Sequence, residues 1–187
     1  MTMEVIQYGH PVLRERGAAV ESFDGELARF AERMRETMEA HDGIGLAAHQ
    51  VGRPVRFCVV DLGRAAAEAG ETVLDGRTVP PAVLMPLFLA NPQLEHPAPV
   101  EVDVMEEGCL SIQGIRGDVT RPFRVDLSFQ DLEGAPHRLR CEGLLARCIQ
   151  HEVDHLNGVL FVDRLQRKDF ARVRAKLRRL KGKMKAG

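Results

Sequence analysis

Apolar positions recur along the chain with different periods, and each period predicts an element. Leu27, Phe30, Ala31, Met34 and Met38 are spaced by three and four. They form one stripe of a helix over residues 24–42, which Ser22 or Asp24 can cap and Gly43 ends. Residues 55–61 (VRFCVVD) are a β-branched run that reads as a strand. Over Arg124–Gln130, Val125, Leu127 and Phe129 alternate with Asp126, Ser128 and Gln130, as in a strand with one buried face. Glu133-Gly134 marks a turn, and residues 137–141 can return as the hairpin partner. Residues 100–106 alternate weakly, and residues 63–86 mix Ala, Gly and Pro and read as a loop insertion. Leu144, Leu145, Ala146, Cys148 and Ile149 leave a helix over Gly143–Leu156 little polar surface, so it should be buried; Asn157-Gly158 stops it. Phe170, Val173, Leu177, Leu180 and Met184 form one stripe on a basic C-terminal helix. Strands in the middle, helices at each end and one inside predict an α+β fold. Antiparallel or mixed sheets should surround the buried central helix, with an amphipathic helix at the C-terminus.

Composition narrows the class. The chain has 187 residues, 44% apolar and 28% charged, which suits one domain over residues 1–187 and excludes disordered and coiled-coil classes. No apolar run approaches the roughly 20 residues of a membrane span. The start MTMEVIQYGHPVL shows no basic region followed by an apolar one, so a cytoplasmic protein is expected. Cys58, Cys109, Cys141 and Cys148 form no CxxC pair and read as thiols. The net charge of −1 hides a division. Residues 164–187 hold eleven Lys/Arg against the single acid Asp169, a net +10, while residues 1–163 carry fifteen bases and twenty-six acids, a net −11. Two readings fit the basic segment: a surface for a polyanionic partner, or a solvated helix face.

The sharpest chemical signal is His151-Glu152-Val153-Asp154-His155. Histidines at i and i+4 lie about 40° apart around a helix and can reach one ion together. The glutamate beside the first is placed to take a proton from water at that ion. On so apolar a helix, two unpaired histidines would be costly. A third ligand is needed. After His155 there is no His, Glu or Cys, only Asp163 and Asp169, so the ligand comes from upstream unless Asp163 serves. Cys148 shares the azimuth but lies about 7.5 Å below the ion along the helix axis, too far for a metal–sulfur bond. Cys58 and Cys141 sit in strand-like alternation. Cys109, in Glu107-Gly108-Cys109-Leu110-Ser111 just past a strand, is the best candidate. Two His and one Cys leave a fourth position open, which is the catalytic arrangement. Upstream, Gly43-Ile44-Gly45-Leu46-Ala47-Ala48-His49-Gln50 permits close backbone approach. Gln50 either donates an N–H to a developing oxyanion or is a buried amide satisfied by backbone. His49 reads as a packing or surface histidine.

GIGLAAHQ, EGCLS and QHEVDHLNG, in this order and at these separations, resemble the three signature motifs of the peptide deformylases. The likeness runs from HPVLR near the start to the C-terminal helix, and QVGRPVRFCVVD is also similar. It implies an enzyme that removes the N-formyl group from the formylmethionine of nascent polypeptides and releases formate. It implies Cys109, His151 and His155 as metal ligands, Glu152 as general acid/base, and Gln50 with the Leu110 N–H as oxyanion donors. Ile44 and Gly45 fall where the family pairs with the peptide backbone, and Arg116 where it contacts the peptide further along. The implied metal is Fe2+, with Zn2+ or Ni2+ as replacements; the residues alone suit several ions. A bacterial cytoplasmic setting follows, and the basic C-terminal helix (164–187) becomes a ribosome-docking element, with no membrane or DNA partner. Two departures stand out. Gln113 replaces the usual Pro. Arg147 lies four residues before His151, where an apolar residue is more usual; it is either a snorkelling arginine at the rim or a substrate contact. Arg121 is expected to pair with Glu107 or Asp154. The rivals are an HExxH metallo-endopeptidase using Asp163 and a non-enzymatic ribosome-associated module with a structural metal.

Overall fold

The structure is a computed structural model that describes residues 2–95 and 100–184, with side chains there except at 67, 68, 183 and 184. Helix α1 spans Gly25–Ala40, and Asp24 caps it by accepting from the Glu26 and Leu27 N–H groups. Such a cap is worth about 1 kcal/mol. The helix stops two residues before the expected end, because Asp42 takes a left-handed conformation (φ 53°) and the Gly43 N–H turns back to the Met38 carbonyl.

Two antiparallel sheets follow. The larger comprises β1 (Gly45–Ala47), β2 (Phe57–Val60), β3 (Thr72–Leu74), β4 (Arg77–Thr78), β5 (Leu87–Glu95), β8 (Arg124–Gln130) and β9 (Pro136–Glu142), in the order β1-β2-β5-β8-β9-β3-β4. The smaller is the hairpin of β6 (Val102–Gly108) and β7 (Arg116–Pro122). The larger sheet is buried on both sides around β2, which explains its unbroken apolar run. Phe57 and Val59 meet the α1 stripe of Phe30, Met34 and Met38, while Cys58 and Val60 face the opposite cluster with Leu145, Ile149 and Val153 of α2.

Helix α2 spans Gly143–Leu156 as expected and is the central buried helix. Leu145 and Ile149 are fully buried, and truncating either to Ala would cost about 2–5 kcal/mol. Helix α3 spans Arg167–Met184. Its Leu177 is buried with Ile112, Ile115, Leu160 and Phe161, so the C-terminal helix is seated against the turn that follows Cys109. Residues 185–187, the end of the expected basic segment, and the Met184 side chain lie outside the described residues.

The segment 63–86 is not a loop. It holds β3, β4 and two short 3-10 turns, and it adds an edge to the larger sheet through β3 pairing with β9. The physical reason is Asp75-Gly76, where both residues take positive φ (49° and 80°), the geometry of a tight hairpin turn.

Candidate active site

Three chain segments meet at α2. His151 and His155 project from successive turns of one face, and Cys109 reaches them from the turn after β6. The Cys109 Sγ and one nitrogen of each histidine lie within 4.8 Å of one another. Cys109 Sγ is 3.3 Å from His155 Nε2. Bonds of about 2.0–2.3 Å from such donors can converge on one ion. The donor set fits a borderline-soft divalent cation. Asp163, the other candidate ligand, is exposed and engaged elsewhere: it pairs with Arg14 and accepts from the Leu160 N–H at 2.9 Å.

The surroundings fix the donors. His151 Nδ1 lies 3.0 Å from Glu107 Oε2, so the carboxylate holds the Nδ1–H tautomer and leaves Nε2 to face the cluster. Burial opposes ionisation of Glu107, but Arg121 and His151 outweigh it and hold the carboxyl well below the usual range. Arg121 pairs with both expected partners, Glu107 at 2.6 Å and Asp154 at 2.8 Å. Burial pushes the His155 imidazole down, so it is neutral and able to donate a lone pair. The sequence singles out Glu107 as part of EGCLS and as an expected partner of Arg121, but its hold on His151 depends on strand pairing, which places it on the inner face of β6 opposite Gly117.

Glu152 is buried beside the cluster, and burial raises its carboxyl to about 7 against the pull of His151 and Arg121. Its Oε2 has no hydrogen-bond partner among the described residues. Gln50 is buried and oriented: Oε1 accepts from the Ala47 N–H at 2.8 Å, which turns Nε2 toward Cys109 Sγ at 3.4 Å and Ser111 Oγ at 3.3 Å. The Ala47 bond resolves the amide's orientation, which the sequence left open. His49, expected as a packing or surface residue, is fully buried.

A cavity of about 700 Å3 opens onto this cluster. Ile44, Gly45, Met105, Leu144, Arg147 and Cys148 wall it, and Gln50, Cys109, Leu110, His151 and Glu152 lie along it. Arg116 stands at its mouth, exposed and paired with Glu106 at 2.6 Å. Arg147 does not snorkel: it is buried and bound to Glu107 and Asp103.

The sequence profile of the polypeptide deformylases matches residues 2–171. The chain belongs to the polypeptide deformylase family. The peptide deformylase of Opitutus terrae is 48% identical over 180 residues, covering 96% of this chain and 93% of that protein. The crystal structure of the Thermotoga maritima deformylase superposes with a TM-score of 0.76 at 38% identity, covering 89% of this chain and 99% of the other. That of Synechococcus elongatus, a complex with actinonin, gives 0.78 at 42% identity, covering 93% and 85%. With the family comes the reaction: this deformylase is a metal-dependent hydrolase that removes N-formyl groups from nascent peptides. The endopeptidase and structural-module readings fall with that membership. No helix among the described residues is long and apolar enough to cross a membrane.

Proposed function

We propose that Cys109, His151 and His155 hold one catalytic divalent ion and that residues 1–187 act as one catalytic unit on N-formylmethionyl peptides. The observation that carries this reading is the convergence of one thiol and two imidazoles beside a buried carboxylate at the end of a largely apolar cavity. The ion would supply a Lewis acid that polarises the formyl carbonyl and acidifies a water molecule. Fe2+ is the proposed metal, on the resemblance of the motifs; the His2Cys set suits Zn2+ and Ni2+ as well.

The residues divide the remaining work. Glu152, with its carboxyl near 7, takes the proton of the attacking water and returns it to the leaving amine. Gln50 Nε2 and the Leu110 N–H donate to the oxyanion that forms on the formyl carbon; one such donor is worth about 3–4 kcal/mol. Ile44 and Gly45 take the substrate backbone, and Arg116 flanks the path of the first residues. The basic segment 164–187, most of it on α3, docks on the ribosome rather than on DNA, and the cytoplasm of a bacterium is the compartment where that meeting occurs.

Anaerobic release of formate from a short formylmethionyl peptide by Fe2+-loaded protein tests the reading. Prompt formate release without cleavage further along the peptide is expected. No release from protein with the ion bound would overturn it.

A further inference from the structure

Glu107 accepts four hydrogen bonds. Oε1 receives Arg121 Nε at 2.6 Å and Arg147 Nη1 at 2.8 Å. Oε2 receives Arg121 Nη2 at 2.9 Å and His151 Nδ1 at 3.0 Å. A carboxylate offers about four lone-pair sites, so none is left over. Two arginines occupy three of them, and the fourth belongs to the His151 imidazole.

We propose that Arg147 is a positioning residue of the metal centre. By filling the second acceptor site of Glu107 Oε1, it fixes the carboxylate in the orientation that holds His151 Nδ1–H and turns Nε2 toward Cys109 and His155. The proposal rests on the reading of Cys109, His151 and His155 as metal ligands.

The geometry around Arg147 favours this over a substrate contact. Arg147 lies four residues before His151 on α2, on the same helix face. Asp103 and Glu107 are four apart on β6, on the same sheet face. Arg147 thus reaches both Asp103 and Glu107, and Glu107 touches the imidazole as well. Arg147 is 4% exposed although it lines the cavity. Its Nη groups are committed within the protein: Nη1 also donates to the Val119 carbonyl at 3.0 Å, and Nη2 donates to the Asp103 carbonyl at 3.2 Å and to the Asp103 carboxylate. Its Nε is buried and has no hydrogen-bond partner among the described residues, and a substrate reaching the Nη groups would have to displace one of these partners. The guanidinium instead ties α2 to both strands of the β6–β7 hairpin, with Glu107 between Arg147 and Arg121.

The test uses the full chain with Co2+ as the probe ion. Co2+ affinity is read by chelator competition, and site geometry by the thiolate and ligand-field absorption bands. Arg147→Met removes the donors and keeps much of the volume. It is expected to weaken Co2+ binding by about 10–100-fold, the usual effect of losing a group that supports a ligand. The absorption bands should shift, and the Co2+-loaded enzyme should lose kcat with little change in KM. Arg147→Lys, which can still donate to Glu107, should recover part of the affinity. If Arg147→Met does not fold, Asp103→Asn weakens the outer anchor and should shift the same readouts in the same direction by a few-fold. Wild-type Co2+ affinity and spectrum in a folded Arg147→Met protein, or a change in KM alone, would overturn the proposal and leave Arg147 as a substrate contact. Failure of the unaltered protein to bind Co2+ would overturn the metal-ligand reading itself, and this inference with it.

Discussion

Gly45 and Glu152 are packed so closely that no side chain fits between them: a Cβ on Gly45 would lie 2.8 Å from Cys148 Sγ and closer still to Glu152 Oε1. The glycine loop therefore sets the position of the proposed acid/base from across the cavity. Gly45→Ala has to push Glu152 or the β1 backbone aside. Displacement of a reacting group by about 1 Å can cost about 100-fold in rate. A drop of that size in formate release is expected, with Co2+ affinity retained because the atoms nearest that Cβ belong to Glu152 and Cys148 and not to Cys109, His151 or His155. Turnover within a few-fold of the unaltered enzyme would show that the close approach has no catalytic consequence.

Glu152→Gln separates proton transfer from metal binding. The amide keeps the shape of the carboxyl but accepts no proton, and general acid/base catalysis is worth about 100- to 10,000-fold. Turnover should fall by that order while the variant holds one ion per chain, measured by elemental analysis after dialysis. Loss of the ion instead would place Glu152 among the groups that support binding.

How much of this was legible in the sequence depends on the kind of signal. The clustering of the proposed ligands was readable because helix periodicity alone brings His151 and His155 together, and Cys109 remained as the upstream candidate. Helix α2 was readable for the same reason. The β3–β4 hairpin was hidden by the Ala-, Gly- and Pro-rich composition around it, although Asp75-Gly76 was its signal. Strands β5 and β7 escaped notice because Asn91 takes a positive φ and breaks the register within β5, while β7 carries charges toward an ion-pair network instead of an apolar face. The burial of Arg147 was not readable, because its partners Asp103 and Glu107 come from a distant strand whose pairing sets which side chains face inward.

The ribosome reading is tested better by charge than by truncation. Leu177 of α3 is buried with Ile112 and Ile115 next to the Cys109 turn, so removing the helix would disturb the site as well as the surface. Arg172, Lys176 and Arg179 are exposed and can be replaced by Gln without touching that packing. Each positive charge withdrawn from a ribosomal phosphate should lower the salt dependence of binding by about one counterion. Formate release from a short peptide should stay unchanged. Ribosome affinity and salt slope equal to those of the unaltered protein would leave α3 as a solvated basic helix.

His137 gives the fold a pH dependence remote from the cavity. Its Nδ1 lies 2.7 Å from Asp75 of the β3–β4 turn and its Nε2 lies 3.1 Å from Asp131 of the β8–β9 turn, so one imidazolium joins two hairpin ends. The bond to Asp75, then that to Asp131, raises the imidazole above its ordinary value. Asp75 is lowered by its bond from the Arg138 N–H and by His137, and Asp131 is lowered because His137 and neighbouring N–H groups outweigh its desolvation. The signs follow from linkage. A raised histidine contributes stability that is complete below its unfolded value of about 6.5 and is lost as pH rises through the folded value. Lowered aspartates contribute stability that is complete above about 3.9 and is lost as pH falls through their folded values. The stabilisation is therefore greatest from about pH 4 to about pH 6.5. Urea unfolding of the unaltered chain and of His137→Gln, compared at pH 6 and pH 9, should show a stability difference that shrinks at the higher pH. A difference that stays constant would mean that His137 acts by packing on Phe129, whose ring lies 5.4 Å away, and not through its charge.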